Sequence, residues 1–298
     1  MSLEIKQAVV VGAGTMGHGI AQVLAQAGIE TTLVDVKQDF VDKGLAKIKA
    51  NLDAGVTKGK VTADARDAAL DLLRGAVSRE VLGEAQLVVE AIPEDMRLKR
   101  ELFAEADARM PQGSLLASNT SSLSITEIAS STKRPHDVVG LHFFNPVHIM
   151  KLLEIVRGAL TSDETIARAR SLAERLGKTV IVANDAPGFA TSRLGIALGL
   201  EATRMVEEGV ASCADIDTAM KLGDGHPMGP LALGDLVGLD VRLAIAESMH
   251  LELGPAFKPP RLLKRLVTMG HVGKKAGKGF YLYDDKGEIK GETPAARR

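Results

Sequence analysis

The chain has 298 residues, 45% of them hydrophobic and 25% charged, with a net charge of −1, which suits two domains with sizeable cores. That balance, 3% aromatic content and the absence of tryptophan give no footing for nucleic acid, and no apolar run approaches the length of a membrane span. The single cysteine, Cys213, excludes an intrachain disulfide and a cysteine-based metal site.

The N-terminus runs directly into a strand pattern, so no targeting leader is expected and a cytoplasmic location follows. Ala8-Val9-Val10-Val11 is an apolar run that leads into Gly12-Ala13-Gly14-Thr15-Met16-Gly17. A helical pattern comes next, then Thr31-Thr32-Leu33-Val34-Asp35. In this strand–helix–strand setting the G-x-G-x-x-G spacing predicts dinucleotide binding. Gly12 allows the tight turn, Gly14 lets a pyrophosphate approach the backbone, and Gly17 lets the helix pack on the strand. The helix N-terminus offers free N–H groups to the phosphates. Asp35, eighteen residues after Gly17, can accept both ribose hydroxyls and repels a 2′-phosphate, so NAD is expected over NADP.

Residues 38–56 form a predicted helix with Val41, Leu45, Ile48 and Leu52 on one face. Lys43, Lys47 and Lys49 lie opposite, followed by Lys58 and Lys60. This is either a solvated basic face or a contact for an anionic ligand. Residues 86–91 read as a buried strand, and Glu94 and Lys99 follow it at the ligand-bearing edge of a doubly wound sheet. Residues 115–118 are another strand, leading into the hydroxyl-rich Ser118-Asn119-Thr120-Ser121-Ser122. Ser124 and Glu127 form a capping box. Taken alone, Ser121 reads as a turn residue.

Val138 to Leu141 is a strand running into His142-Phe143-Phe144-Asn145-Pro146. Leu152 to Val156 is a strand interrupted by Glu154, and an acid there is costly unless paired. His142 is the expected partner, as a catalytic or a structural pair. Thr161 and Glu164 are expected to cap a helix ending at Gly177, and Val180 to Ala183 is the last strand before Asn184-Asp185-Ala186-Pro187-Gly188. Beyond it the chain reads helical, at 193–208, from Ser212 to Gly223, at 235–252 and at 260–269. The expected architecture is α/β: a Rossmann-like doubly wound domain over 1–185 and an all-helical domain over 186–298. No metal-ligand spacing is present. A nicotinamide beside a histidine at the sheet edge suits hydride transfer at a hydroxyl-bearing carbon. Imidazole is the base for the hydroxyl proton, and a carboxylate orients it.

The chain resembles the L-3-hydroxyacyl-CoA dehydrogenase family, most closely its short-chain bacterial 3-hydroxybutyryl-CoA form. The likeness rests on Gly12 to Gly17, Ala117 to Leu123, His142 to Pro146, Pro187-Gly188-Phe189, Asp217 to Gly223, His226 to Pro230 and Gly277 to Tyr281. It implies that His142 and Glu154 are the catalytic pair and that Ser121 contacts the substrate oxygen. Asp35, Glu94, Lys99, Asn145 and Lys275 match NAD-contacting positions, and Lys58 matches one that binds coenzyme A. The resemblance also implies a homodimer joined through the helical domain and an acyl-CoA substrate interconverted between 3-hydroxy and 3-keto forms. One position departs from the pattern: Ser192 stands where an active-site asparagine is expected. Serine is shorter and offers one hydroxyl in place of an amide. A related 3-hydroxy acid or an unusual acyl-CoA is therefore the alternative substrate.

Overall fold

The computed structural model describes residues 4–296. It divides into two compact units, Met1–Ala186 and Pro187–Arg298. Among the described residues no helix is long and apolar enough to cross a membrane.

In the first unit the strands are β1 (Gln7–Val11), β2 (Glu30–Val34), β3 (Leu73–Ala76), β4 (Leu87–Glu90), β5 (Leu115–Ser118), β6 (Val138–Phe143), β7 (Leu152–Arg157) and β8 (Thr179–Asn184). They form one sheet in the order β3-β2-β1-β4-β5-β6-β7-β8. The helices are α1 (Thr15–Gln26), α2 (Gln38–Thr57), α3 (Ala63–Asp71), α4 (Met96–Arg109), α5 (Ile125–Ala129) and α6 (Asp163–Arg175). Strands β1 to β6 run parallel, and the chain changes winding direction between β1 and β4. Ligands of such sheets bind outside the carboxyl ends of the strands at that switch. The parallel strands are nearly continuous apolar runs because both faces are covered; Val10, Leu33, Val89 and Leu116 are all 0% exposed.

Strand β7 breaks the parallel pattern. It lies antiparallel to β6, with His142 opposite Glu154, and β8 then runs parallel to β7. The register aligns Val11, Glu90, Ser118 and Gly140 in one row across β1, β4, β5 and β6. The segments leaving these positions therefore emerge at one edge.

Several sequence expectations shift. Helix α6 is capped by Ser162, which accepts from Thr165 N–H at 3.1 Å, and not by Thr161. The Thr161 hydroxyl is already committed: it donates to Val138 O and accepts from Gly158 N–H. Helix α3 and edge strand β3 were not expected. Gly75 in β3 gives no strand signal, but a Cβ there would lie 2.5 Å from Val41 Cγ1, so glycine is what lets α2 pack.

The second unit holds α7 (Thr191–Glu208), α8 (Cys213–Gly223), α9 (Pro230–Val237), α10 (Leu239–Leu253) and α11 (Arg261–Thr268). A hairpin of β9 (Tyr281–Tyr283) and β10 (Ile289–Glu292) accompanies them. The single helix expected at 235–252 is two, divided at Gly238, whose φ of +109° is closed to most side chains. Ile196, Leu200, Leu231, Leu263 and Phe280 contribute to its core. Two buried acids organise it. Asp217 accepts from Leu231 N–H, Ala232 N–H and the Tyr281 hydroxyl, capping α9, while Asp235 accepts from Phe280 N–H, Tyr281 N–H and the Tyr283 hydroxyl. The Asp217 and Gly277–Tyr281 motifs thus meet in the scaffold of this unit.

Candidate active site

The three glycines of the β1–α1 turn divide their work. Gly12 has φ +107°, and a Cβ on it would lie 2.4 Å from Ala91 O. A Cβ on Gly17 would lie 1.6 Å from Gly12 O. At Gly14 a Cβ would meet nothing within 4 Å, so this residue faces open space. Helix α1 begins there with no side-chain cap and no acid in its first turn. Its N–H groups and positive dipole end are uncompensated, as an anion site requires.

Asp35 follows β2 and closes this turn. Its carboxylate accepts from Ala13 N–H and from Val36 N–H, each at 2.7 Å. A carboxylate has about four acceptor positions, so capacity remains for ribose hydroxyls. Gly12, Gly14, Thr15, Met16 and Asp35 line a cavity of about 790 Å³, with Phe40 and Val77 on its apolar wall. That is dinucleotide-sized, and its donors and acid suit NAD. Lys43 and Lys47 also line it. Part of the basic face of α2 therefore belongs to this cavity. Lys58 is an exposed residue at the C-cap of the same helix.

Two residues beyond Gly140 on β6, His142 meets Glu154 of β7. His142 Nδ1 lies 2.6 Å from Glu154 Oε2. Glu154 is 0% exposed and His142 is 7% exposed. The buried carboxylate accepts Nδ1–H, which fixes the ring tautomer and orientation, while Phe144 packs on the imidazole with ring centroids 4.5 Å apart. The Asn119 side-chain oxygen accepts from Phe143 N–H at 2.9 Å, tying the loop after β5 to the strand that carries the histidine.

Glu94 gathers that loop. Its Oε1 accepts from the Thr120 hydroxyl, Ser121 N–H at 3.1 Å and the Ser122 hydroxyl at 3.2 Å. Its Oε2 lies 3.1 Å from Lys99 Nζ. Desolvation raises the Glu94 pKa, but the Lys99 ammonium and the loop donors outweigh it and hold the carboxyl below its ordinary value. Lys99 is 1% exposed and also donates to Glu90 Oε1 at 2.6 Å. Burial pushes Glu90 above the ordinary carboxylate value against the pull of Lys99. Sequence reasoning missed Glu90, although an acid at the end of an apolar strand is the signal that found Glu154.

Asn145 is exposed and precedes Pro146 through a cis peptide bond. Ser192 is the second residue of α7 in the second unit. It follows a left-handed turn in which Gly188 has φ +74° and Phe189 has φ +50°, a strained geometry for a phenylalanine. Lys275, also in the second unit, is held by both oxygens of Asp240 at 2.7 Å. Among the described residues no group of three or more His, Cys, Asp or Glu could hold a metal ion.

Two family descriptions match the sequence: "3-hydroxyacyl-CoA dehydrogenase, NAD binding domain" over residues 7–186 and "3-hydroxyacyl-CoA dehydrogenase, C-terminal domain" over 188–283. The chain is 46% identical over 285 residues to a probable 3-hydroxybutyryl-CoA dehydrogenase of Bacillus subtilis, covering 95% of this chain and 99% of the relative. It is 45% identical over 286 residues to a 3-hydroxybutyryl-CoA dehydrogenase of Mycobacterium tuberculosis, covering 95% and 100%. Among solved structures, (S)-3-hydroxybutyryl-CoA dehydrogenase from Ralstonia eutropha superposes with a TM-score of 0.91 at 40% identity, covering 95% of this chain and all of that one.

Proposed function

The chain belongs to the 3-hydroxyacyl-CoA dehydrogenase family, and on that premise we propose that it interconverts (S)-3-hydroxyacyl-CoA and 3-ketoacyl-CoA thioesters with NAD, acting on short acyl chains such as 3-hydroxybutyryl and acetoacetyl. The reading rests first on the His142–Glu154 contact of 2.6 Å. Gly12 to Gly17 and Asp35 would hold NAD, whose nicotinamide would supply the hydride acceptor. In the oxidation direction Nε2 of His142 takes the proton of the substrate hydroxyl. Glu154 stabilises the resulting imidazolium, and a general base of this kind contributes roughly 10²- to 10⁴-fold. In the reduction direction the imidazolium returns that proton to the carbonyl oxygen. Ser121 donates a hydrogen bond to the same oxygen, and Ser192 serves where the family pattern has asparagine.

Lys58 contacts a phosphate of coenzyme A in this reading. A second copy binds through the helical unit, where α7 leaves Leu194 72% exposed and apolar. The test is NADH consumption with acetoacetyl-CoA, longer 3-ketoacyl-CoAs and free acetoacetate. Turnover of a thioester with little of the free acid supports the proposal. Equal turnover of the free acid, with no inhibition by coenzyme A, moves the assignment to a 3-hydroxy acid dehydrogenase.

A further inference from the structure

We propose that Glu90 and Lys99 are positioning residues that hold the Ser118–Leu123 loop, and with it Ser121, in its working geometry. The inference rests on the reading of Ser121 as the contact to the substrate oxygen.

One buried ammonium ties the loop from both ends. On one side Lys99 Nζ donates to Glu90 Oε1 at 2.6 Å, and Glu90 Oε2 accepts from the Ser118 hydroxyl at 2.6 Å. Ser118 Oγ in turn accepts from Thr120 N–H at 3.2 Å. On the other side Lys99 meets Glu94, whose second oxygen takes the Thr120 hydroxyl, Ser121 N–H and the Ser122 hydroxyl. Thr120 Oγ1 closes the turn by accepting from Leu123 N–H at 2.9 Å.

The arrangement is stiff for physical reasons. Glu90 and Ser118 are 0% exposed, Lys99 and Thr120 1%. A buried charge that loses its partner is costly, so each group keeps its place only while the others keep theirs. Glu90 is fixed further by Ile92 N–H, which donates to Oε1 at 2.8 Å. The strand register delivers this rigidity to the site, because Glu90 and Ser118 lie opposite one another on β4 and β5. Glu90 therefore acts on the reacting centre through Lys99, Glu94 and Ser121.

The test compares Glu90→Gln, Lys99→Met and Ser121→Ala, with the doubles Glu90→Gln/Ser121→Ala and Lys99→Met/Ser121→Ala. Readouts are kcat and KM for acetoacetyl-CoA, the Kd for NADH, and amide hydrogen exchange at Ser121. Misplacing a substrate contact by about 1 Å costs on the order of 10²-fold. Glu90→Gln is expected to lower kcat by about 10- to 100-fold while the NADH Kd changes less than about threefold. In the Ser121→Ala background the same substitution should cost little more, because it acts through a residue already removed. Exchange at Ser121 N–H should rise in Glu90→Gln. If Glu90→Gln does not fold, Lys99→Met carries the same expectations for kcat and for exchange at Ser121. Additive losses in the doubles, or unchanged exchange at Ser121, would overturn the proposal. If the wild-type protein turns over no thioester, the dehydrogenase reading fails by itself, and exchange at Ser121 still decides whether Glu90 holds the loop.

Discussion

His142 Nδ1 lies 2.6 Å from Glu154 Oε2, and the two residues stand directly opposite across the antiparallel pair β6–β7. The reversal of β7 makes this possible. The acid arrives beside the histidine at the sheet edge, inside a strand whose neighbours are apolar and fully buried, so the pair is held by packing as well as by charge.

Ser192→Asn should raise kcat on acetoacetyl-CoA. On the proposed reading an amide here would restore the donor that the family pattern has at this position, and such donors are worth roughly 10- to 1000-fold. Steady-state rates with NADH measure the gain. A neutral or harmful effect would mean that the site is built around serine and that the substrate differs from acetoacetyl-CoA.

Asp35→Ala should weaken NADH binding by roughly 10- to 100-fold, the worth of charge-assisted hydrogen bonds. It should also narrow the preference over NADPH. Part of the loss comes from the Ala13 amide, which Asp35 holds at 2.7 Å. Fluorescence titration with both cofactors decides. An unchanged ratio of the two affinities would remove Asp35 from cofactor selection.

Lys58→Ala should raise the KM for acetoacetyl-CoA by about two- to fivefold, the scale of one exposed ion pair, without changing the NADH Kd. Lys47→Ala should do the reverse, because Lys47 lines the cofactor cavity. A shared effect of both on one ligand would contradict this division of α2.

Asp235 gives the second unit a pH signature. Burial pushes its carboxyl up to about 6 from 3.8. Between those values the folded chain keeps a proton that the unfolded chain has released. The contribution of this group is therefore greatest below about pH 4 and falls as pH rises through 6. The stability deficit of Asp235→Asn relative to wild type should shrink by about 3 kcal/mol from pH 4 to pH 7. Urea unfolding across that range measures it, and a constant deficit would show that Asp235 titrates normally.

The cofactor turn and the His142–Glu154 pair were readable in the sequence because their signals are local: glycines at fixed spacing, and a polar residue inside or at the end of an apolar strand. What escaped was set by tertiary contacts. Thr161 and Ser162 are equally good caps by residue type, and only the strand carbonyl of Val138 decides between them. Gly238 divides a continuous apolar pattern by its backbone angle, which leaves no trace in periodicity. The turn after β4 brings Glu90 and Glu94 together on Lys99, a grouping that no local pattern announces. Ser192 was visible only as a departure from a family pattern.

The most direct test is turnover of acetoacetyl-CoA with NADH by wild type and His142→Gln, together with the NADH Kd of each. The account predicts measurable wild-type turnover, a loss of roughly 10²- to 10⁴-fold in the variant, and an NADH Kd that is nearly the same in both. Full activity in His142→Gln would contradict the account by removing the imidazole from the proton transfer.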